Sequence, residues 1–434
     1  MKLLIKHGRV IDPANNVDDK RDILIDQGTI VAVDKNIVSD KAEIIDAAGA
    51  VVIPGLVDMH VHLREPGRED KETVKTGTQA AAKGGVTSVL AMPNTSPCMD
   101  SWEHIELLKG ICKETAQVNV FMSAAITHNR QGETLTDSNA LKKAGVVAIS
   151  DDGSSVDNDA LMVEACEEAR ENNMLVICHS EDRSLSNHGV VNLGFMSTKL
   201  GLRGIAKESE YKRVERDIRI AEKTGCRMHI AHVSCKESVA LIAAAKKKGL
   251  PVSAETAPHY FALDETKLAS YDTNLKMNPP LRTAEDVKSI KEALKSGIID
   301  VIASDHAPHT ENEKDIEFER AEFGVVGLET ELSVSLTELL DRGFIDWKQL
   351  VNLLCVRPAQ ILGIPKGTLR VGADADVAVV FPDEQWTVDK ESLISKSKNS
   401  AFLGTTVKGR VGFTVCSGNV VYASPQHLRL RTSC

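Results

Sequence analysis

Aromatic side chains make up only 4 % of the 434 residues, whereas Ala, Val, Ile and Leu recur in short runs. That scarcity argues against a β-sandwich along the whole chain and favours short buried strands packed against helices. No run approaches the roughly 18 consecutive apolar residues of a membrane span. Met1-Lys2-Leu3-Leu4-Ile5-Lys6 leads straight into strand-like sequence, without the apolar core of a signal peptide. A cytoplasmic location with no membrane association is expected. The nine cysteines are odd in number and none is spaced Cys-x-x-Cys, so neither a disulfide framework nor a structural zinc knuckle is indicated. Positive charge is also short: a formal charge of −10 disfavours nucleic acid as a partner. An anionic substrate would need local cations.

What the chain does have is regular alternation. Apolar runs of strand length occur at 57–63, 87–92, 118–126, 146–150, 174–178, 228–233, 251–255 and 299–303. Helix-like segments rich in Ala, Lys and Glu lie between most of them, at 73–83, 159–172, 208–223, 236–247 and 284–294, several followed by a glycine stop. Eight such units predict an α/β fold, a (β/α)8 TIM barrel over 55–365. The ends read differently. Short strand-like stretches broken by Gly and Asp lie at 3–6, 22–25, 29–33 and 42–46, and again at 367–369, 376–381, 405–411 and 415–421. Either set alone would leave open strand edges, so 1–54 and 366–434 are expected to pair into one small β-sandwich domain.

In this barrel fold chemistry sits at the C-terminal strand ends. His60 and His62, two residues apart in a strand, share a face and can share one ion. Arg64 follows two residues later, a planar cation close to that ion. The other strand ends carry Asn94, Asp151-Asp152, His179, His232, and Asp305-His306 with His309. Four histidines with two carboxylates suit one or two ions such as Zn²⁺, Co²⁺ or Mn²⁺, zinc first, and not Ca²⁺.

The motifs His60-Val61-His62-Leu63-Arg64-Glu65-Pro66-Gly67, Met92-Pro93-Asn94, Asp151-Asp152-Gly153, His179-Ser180-Glu181, Ala231-His232-Val233-Ser234, Asn278-Pro279-Pro280-Leu281-Arg282 and Ser304-Asp305-His306-Ala307-Pro308-His309 together resemble the amidohydrolase superfamily. Within it they resemble the bacterial class I dihydroorotases. The resemblance implies that His60, His62 and Asp305 hold one zinc ion and His179 and His232 a second. Asp152, with Asp151 as the alternative, would bridge them where many relatives use a carboxylated lysine. It implies Asp305 as the proton-transferring residue, Arg64, Asn94 and His309 on the substrate carboxylate, Asn278 on the ring, and Phe323 and Gly324 as further substrate contacts. The charged segment 310–323 is expected to be a rim loop over the substrate.

The implied reaction is the reversible cyclisation of N-carbamoyl-L-aspartate to L-dihydroorotate in pyrimidine biosynthesis. The alternatives are another cyclic-amide hydrolase of the allantoinase or dihydropyrimidinase type, or a non-catalytic subunit. A homodimer and association with aspartate transcarbamoylase are the partner expectations. His259 and His306 are read as lying outside the ligand set, and the tail with Arg429 and Arg431 as a frayed terminus.

Overall fold

The computed structural model describes residues 2–432. Eight parallel strands form the central sheet in chain order: β1 (Leu56–Val61), β2 (Val86–Ala91), β3 (Asn119–Ala124), β4 (Ala148–Ile149), β5 (Leu175–Cys178), β6 (Met228–Ile230), β7 (Val252–Thr256) and β8 (Val301–Ile302). The last strand meets the first through a parallel bridge between Val61 and His306, where His62 N donates to His306 O at 2.9 Å. The eight apolar runs become these strands, so the alternation marks a TIM barrel.

Helices α1 (Val74–Lys83), α2 (Trp102–Thr115), α3 (Ser138–Lys143), α4 (Asp159–Glu171), α5 (Glu208–Thr224), α6 (Lys236–Lys247) and α7 (Ala284–Ser296) lie between the strands. Their starts follow local rules. Thr73 and Thr283 each accept from the backbone N–H three residues on and form capping boxes, and Asn158 caps α4. Gly225 and Gly297 end α5 and α7 in the left-handed conformation that a Cβ disfavours. One apolar cluster joins strand residues such as Val61, Val89, Val176 and Ile230 to helix residues such as Ala80, Ala165 and Ile242. One face of the barrel strands and the helical coat therefore share a core, while alternate strand residues such as Val57, Leu90, Leu175, Ile177 and Val301 form a second cluster.

The chain ends meet in a separate nine-stranded sheet. Val51–Pro54 pairs antiparallel with the start of Val377–Thr387, with Val52 opposite Val379, and Val10, Ile23, Val52, Val377, Val379 and Phe413 fill the layer behind them. Three local expectations change. Residues 367–369 are not a strand; Leu369 N is held by the Asp12 carboxylate at 2.7 Å. The stretches 405–411 and 415–421 are one strand, Thr406–Cys416, and a return strand, Asn419–Ala423, because the reversal falls at Ser417-Gly418, both with positive φ. The tail is not frayed through Thr432: Arg431–Thr432 pairs with Ile44 and Ile45, and Arg431 forms an ion pair with Glu43.

The segment after β8 is pinned from beneath. Lys276 Nζ, fully buried, donates to the carbonyls of Phe318, Glu319 and Ala321 at 2.9, 3.0 and 2.6 Å. Lys314 Nζ does the same for Glu322 and Gly324 at 2.8 and 3.0 Å. These carbonyls have few alternatives once buried. Replacing Lys276 by Met should cost roughly 3 kcal/mol, from carbonyls left unsatisfied at about 1–3 kcal/mol each, and should open 315–323 to protease. Denaturant unfolding and limited proteolysis check this; an unchanged midpoint and cleavage pattern would show that the lysine does not hold the segment.

Candidate active site

At the C-terminal mouth of the barrel a cavity of about 420 Å³ is lined by His62, Arg64, Asn94, Asp152, His179, His232, Asn278, Asp305, His309, Phe323 and Gly324, together with Arg68, Lys71, Arg130 and Glu322. Every substrate contact expected from the sequence thus faces this one space. His60 lies at its floor, fully buried.

The donor atoms converge. His60 Nε2 is 3.3 Å from Asp152 Oδ1 and 3.6 Å from Asp305 Oδ1. His62 Nε2 is 3.5 Å from Asp152 Oδ2 and 3.4 Å from Asp305 Oδ1. On the other side of Asp152, His179 Nδ1 is 3.6 Å and His232 Nε2 3.8 Å from Oδ1, and these two ring nitrogens are 2.9 Å apart. Asp152 therefore touches both groups. Asp151 does not compete: its carboxylate is taken by Ile126 N, Thr127 N and Thr127 Oγ1 at 2.8, 3.0 and 2.5 Å.

Each histidine is aimed by what its far nitrogen does. His60 Nδ1 lies 2.6 Å from Glu255 Oε1, and Glu255 Oε2 reaches His229 Nε2 at 3.1 Å. His62 Nδ1 lies 2.8 Å from Asn94 Oδ1. A proton on Nδ1 in each ring would leave Nε2 as the atom offered to a cation lying between the rings and the two aspartates. Arg64, His232 and Asp305 take positive φ values of 62°, 36° and 46°. Left-handed backbone is costly for such residues, and here it occurs at three residues that line the mouth.

The electrostatics follow from burial. Desolvation alone would raise the Asp152 carboxyl, yet His60, His179 and His232 hold it well below the usual range. Burial is likewise overcome at Asp305, which His60, His62 and His232 keep ionised. At His179 burial favours the neutral ring, but Asp152 and Glu181 outweigh it and raise the imidazole to about 9. Burial pulls the Arg64 guanidinium down to about 10. It remains fully charged at neutral pH. Arg64 Nε donates to Pro308 O at 3.1 Å, and Nη2 lies 3.4 Å from His309 Nε2. Gly324, at φ 126°, passes so close that a Cβ would sit 2.6 Å from Ala307 Cβ and 3.3 Å from His309 Nε2. Only a glycine leaves the His309 edge free there.

Several neighbours of the site lie outside the roles expected from the sequence. Glu255 is a carboxylate at the end of β7, which its position alone could have flagged. Glu181 bridges His179 Nε2 at 3.3 Å and Asn278 Nδ2 at 3.0 Å. Arg130 donates to Asp152 O at 2.8 Å. His306 spends its ring on Glu72, at 3.3 Å, and on Gly327 N, at 3.1 Å. His259 is buried edge-on to Tyr260, and burial lowers it to about 4.

Comparison with known proteins agrees with this architecture. Residues 49–238 match the family model described as dihydro-orotase-like. The chain is 50 % identical over 420 residues to a dihydroorotase of Elusimicrobium minutum, covering 97 % of both chains. It is 50 % identical over 423 residues to a dihydroorotase of Geobacter metallireducens, covering 97 % of this chain and all of that one. Among solved structures it resembles the L-hydantoinase (dihydropyrimidinase) of Arthrobacter aurescens, with a TM-score of 0.87 and 25 % identity over 97 % of this chain and 96 % of that one. A dihydropyrimidinase from Brevibacillus agri gives 0.85 at 25 %, over 98 % and 95 %. With half its residues shared with curated dihydroorotases over nearly their full length, and a cyclic-amidase barrel around its donor cluster, the chain belongs to the dihydroorotase family of amidohydrolases.

Proposed function

We propose that the cavity interconverts N-carbamoyl-L-aspartate and L-dihydroorotate, a step of pyrimidine biosynthesis, with Arg64 as the observation that carries the substrate assignment. Hydantoins and dihydropyrimidines lack a carboxylate on the ring; dihydroorotate has one. A buried guanidinium with a donor free for the cavity is costly unless an anion meets it. His309 and Asn94 flank the same space and Asn278 faces it from across the cavity, with Phe323 and Gly324 forming its wall.

The metal is Zn²⁺ in this reading. His60 Nε2 and Asp152 Oδ1 are buried and make no hydrogen bond, an arrangement that a cation satisfies. The four contacts between the two histidines and the two aspartates, 3.3–3.6 Å, match the edge of a tetrahedron with metal–ligand bonds of about 2.1 Å, roughly 3.4 Å. His60, His62, Asp305 and Asp152 would hold one ion. His179 and His232 would hold a second, with Asp152 common to both. Bound there, the metal would supply Lewis acidity for activating water near neutral pH and for polarising the amide carbonyl.

The protein's own groups do the rest. Asp305, ionised and facing the cavity, takes the proton of the attacking water and returns it to the departing ring nitrogen. In the reverse direction it gives a proton to the oxygen leaving as water. Arg64 and His309 fix the substrate's far end so that the reacting carbonyl faces Asp305. The reading extends to a homodimer and to association with an aspartate transcarbamoylase; sedimentation velocity of the chain alone and with that partner separates these states.

An Arg64→Ala variant should lose about 10²–10³ in kcat/KM for dihydroorotate, the effect of removing one partner of a buried charge pair, with its zinc content unchanged. Turnover of dihydroorotate, hydantoin and allantoin, with elemental analysis of the same sample, checks this. Equal turnover by the variant would remove the carboxylate argument. His179→Ala should lower bound zinc and activity together, and full activity with one zinc fewer would make the second ion dispensable.

A further inference from the structure

Lys71, in the loop between β1 and α1, is buried, and the mechanism above makes no use of it. Its Nζ lies 3.0 Å from His309 Nδ1 and 3.0 Å from Glu313 Oε1. An ammonium carries donors only. The His309 Nδ1 must therefore accept, which leaves the ring proton on Nε2. We infer that Lys71 is a positioning residue for substrate binding, fixing His309 as the neutral Nε2–H tautomer so that this N–H faces the cavity beside Arg64. The inference rests on the proposed carboxylate role of His309.

The surroundings agree with a neutral ring. His309 Nε2 lies 2.8 Å from Phe323 O, an acceptor that demands a proton on that nitrogen and that lies closer than the Arg64 Nη2 donor at 3.4 Å. Burial disfavours the imidazolium, and Arg64, Lys71 and Lys314 add to it, so His309 stays uncharged far below its usual range. The opposing charge is Glu313, 3.7 Å from Nδ1. Its carboxylate is already shared among Lys71, Arg68 Nη2 at 2.7 Å, and Thr310 N and Oγ1 at 3.0 and 2.9 Å. The His309 main chain is set separately, its N–H donating to Asn399 Oδ1 at 3.1 Å.

A carboxylate entering between Arg64 and His309 would take over the Nε2–H from Phe323 O without any change of protonation. Without Lys71, Glu313 becomes the nearest charged neighbour of Nδ1. The ring then moves its proton to Nδ1, turning a lone pair toward the substrate, or becomes an imidazolium that titrates near neutrality.

Long-range ¹H–¹⁵N NMR on zinc-loaded protein labelled at histidine, with His309 assigned by its loss in His309→Asn, reads this directly. The substrate-free wild type should show a neutral Nε2–H tautomer unchanged from pH 6 to 8.5. In Lys71→Met, His309 should shift to Nδ1–H or titrate within that range. KM for dihydroorotate should rise roughly tenfold, the size of one lost hydrogen bond to a charged group, and become pH-dependent, with kcat nearly constant. Lys71→Arg, which keeps a donor, should restore both. A wild-type ring found as Nδ1–H or as imidazolium overturns the proposal whether or not the variants fold. So does a Lys71→Met protein with the wild-type tautomer and pH profile. A tautomer shift with KM unmoved would instead leave the Lys71 contact standing and overturn the carboxylate role of His309.

Discussion

Burying the carboxylates of Asp152 and Asp305 inside a barrel would cost many kcal/mol if nothing positive met them there. The site is organised around that constraint. His60, His62, His179 and His232 surround the two anions, and each pair of opposing atoms lies at 3.3–3.8 Å, longer than a good hydrogen bond. The imidazoles therefore offset the charge without hydrogen-bonding all of it, and His60 Nε2 and Asp152 Oδ1 are left without a partner. Glu255, behind His60, adds more negative charge instead of relieving it. A divalent ion resolves the arrangement in a way that protons on the rings do not, because it satisfies several lone pairs at once.

The scaffold was legible in the sequence because burial on both faces makes a parallel strand a plain apolar run, and the eight runs map onto the eight barrel strands. The ends of those strands were legible for a different reason. A histidine or aspartate in or directly after such a run has its direction set by the strand, so the sequence alone places His60, His62, His179, His232 and Asp305 on one rim. The choice between Asp151 and Asp152 could not. It depends on the Thr127 and Ile126 backbone, brought beside Asp151 by a loop whose path has no periodicity. Lys71 and Arg130 escaped for a similar reason: each is an ordinary charged residue in a connecting segment, and its contact is to a partner 238 or 22 positions away. The strand boundary expected at 412–414 differs because Gly412 reads as a break but sits in a register shift inside the ladder, whereas the reversal is carried by Ser417-Gly418.

Resemblance of fold and resemblance of substrate separate at the rim. Hydantoinases share this backbone over nearly its whole length at 25 % identity, which fits a barrel whose strand-end donors serve cyclic amide chemistry in general. Discrimination among rings must then come from what stands above the donors. Here that is a cationic wall, Arg64 with Arg68, Lys71 and Arg130 lining the cavity, in a chain whose formal charge is −10. Such local reversal of sign attracts an anionic substrate and orients it.

The wall and the metal donors also bear on the integrity of the barrel. Between β1 and β8 the described residues form one bridge, Val61 to His306, where neighbouring barrel strands share at least two paired residues. The seam is the weakest ladder in the sheet, and it is the one that the His60, His62 and Asp305 donors straddle. Those donors reach across it from both sides, and Asp58, buried beneath them, accepts from His60 N on one strand and from Ser304 N after the other at 3.1 and 3.2 Å. An ion held by that set would therefore be a cross-link in the place where backbone pairing is thinnest, so the coordination proposed for the reaction would also close the barrel.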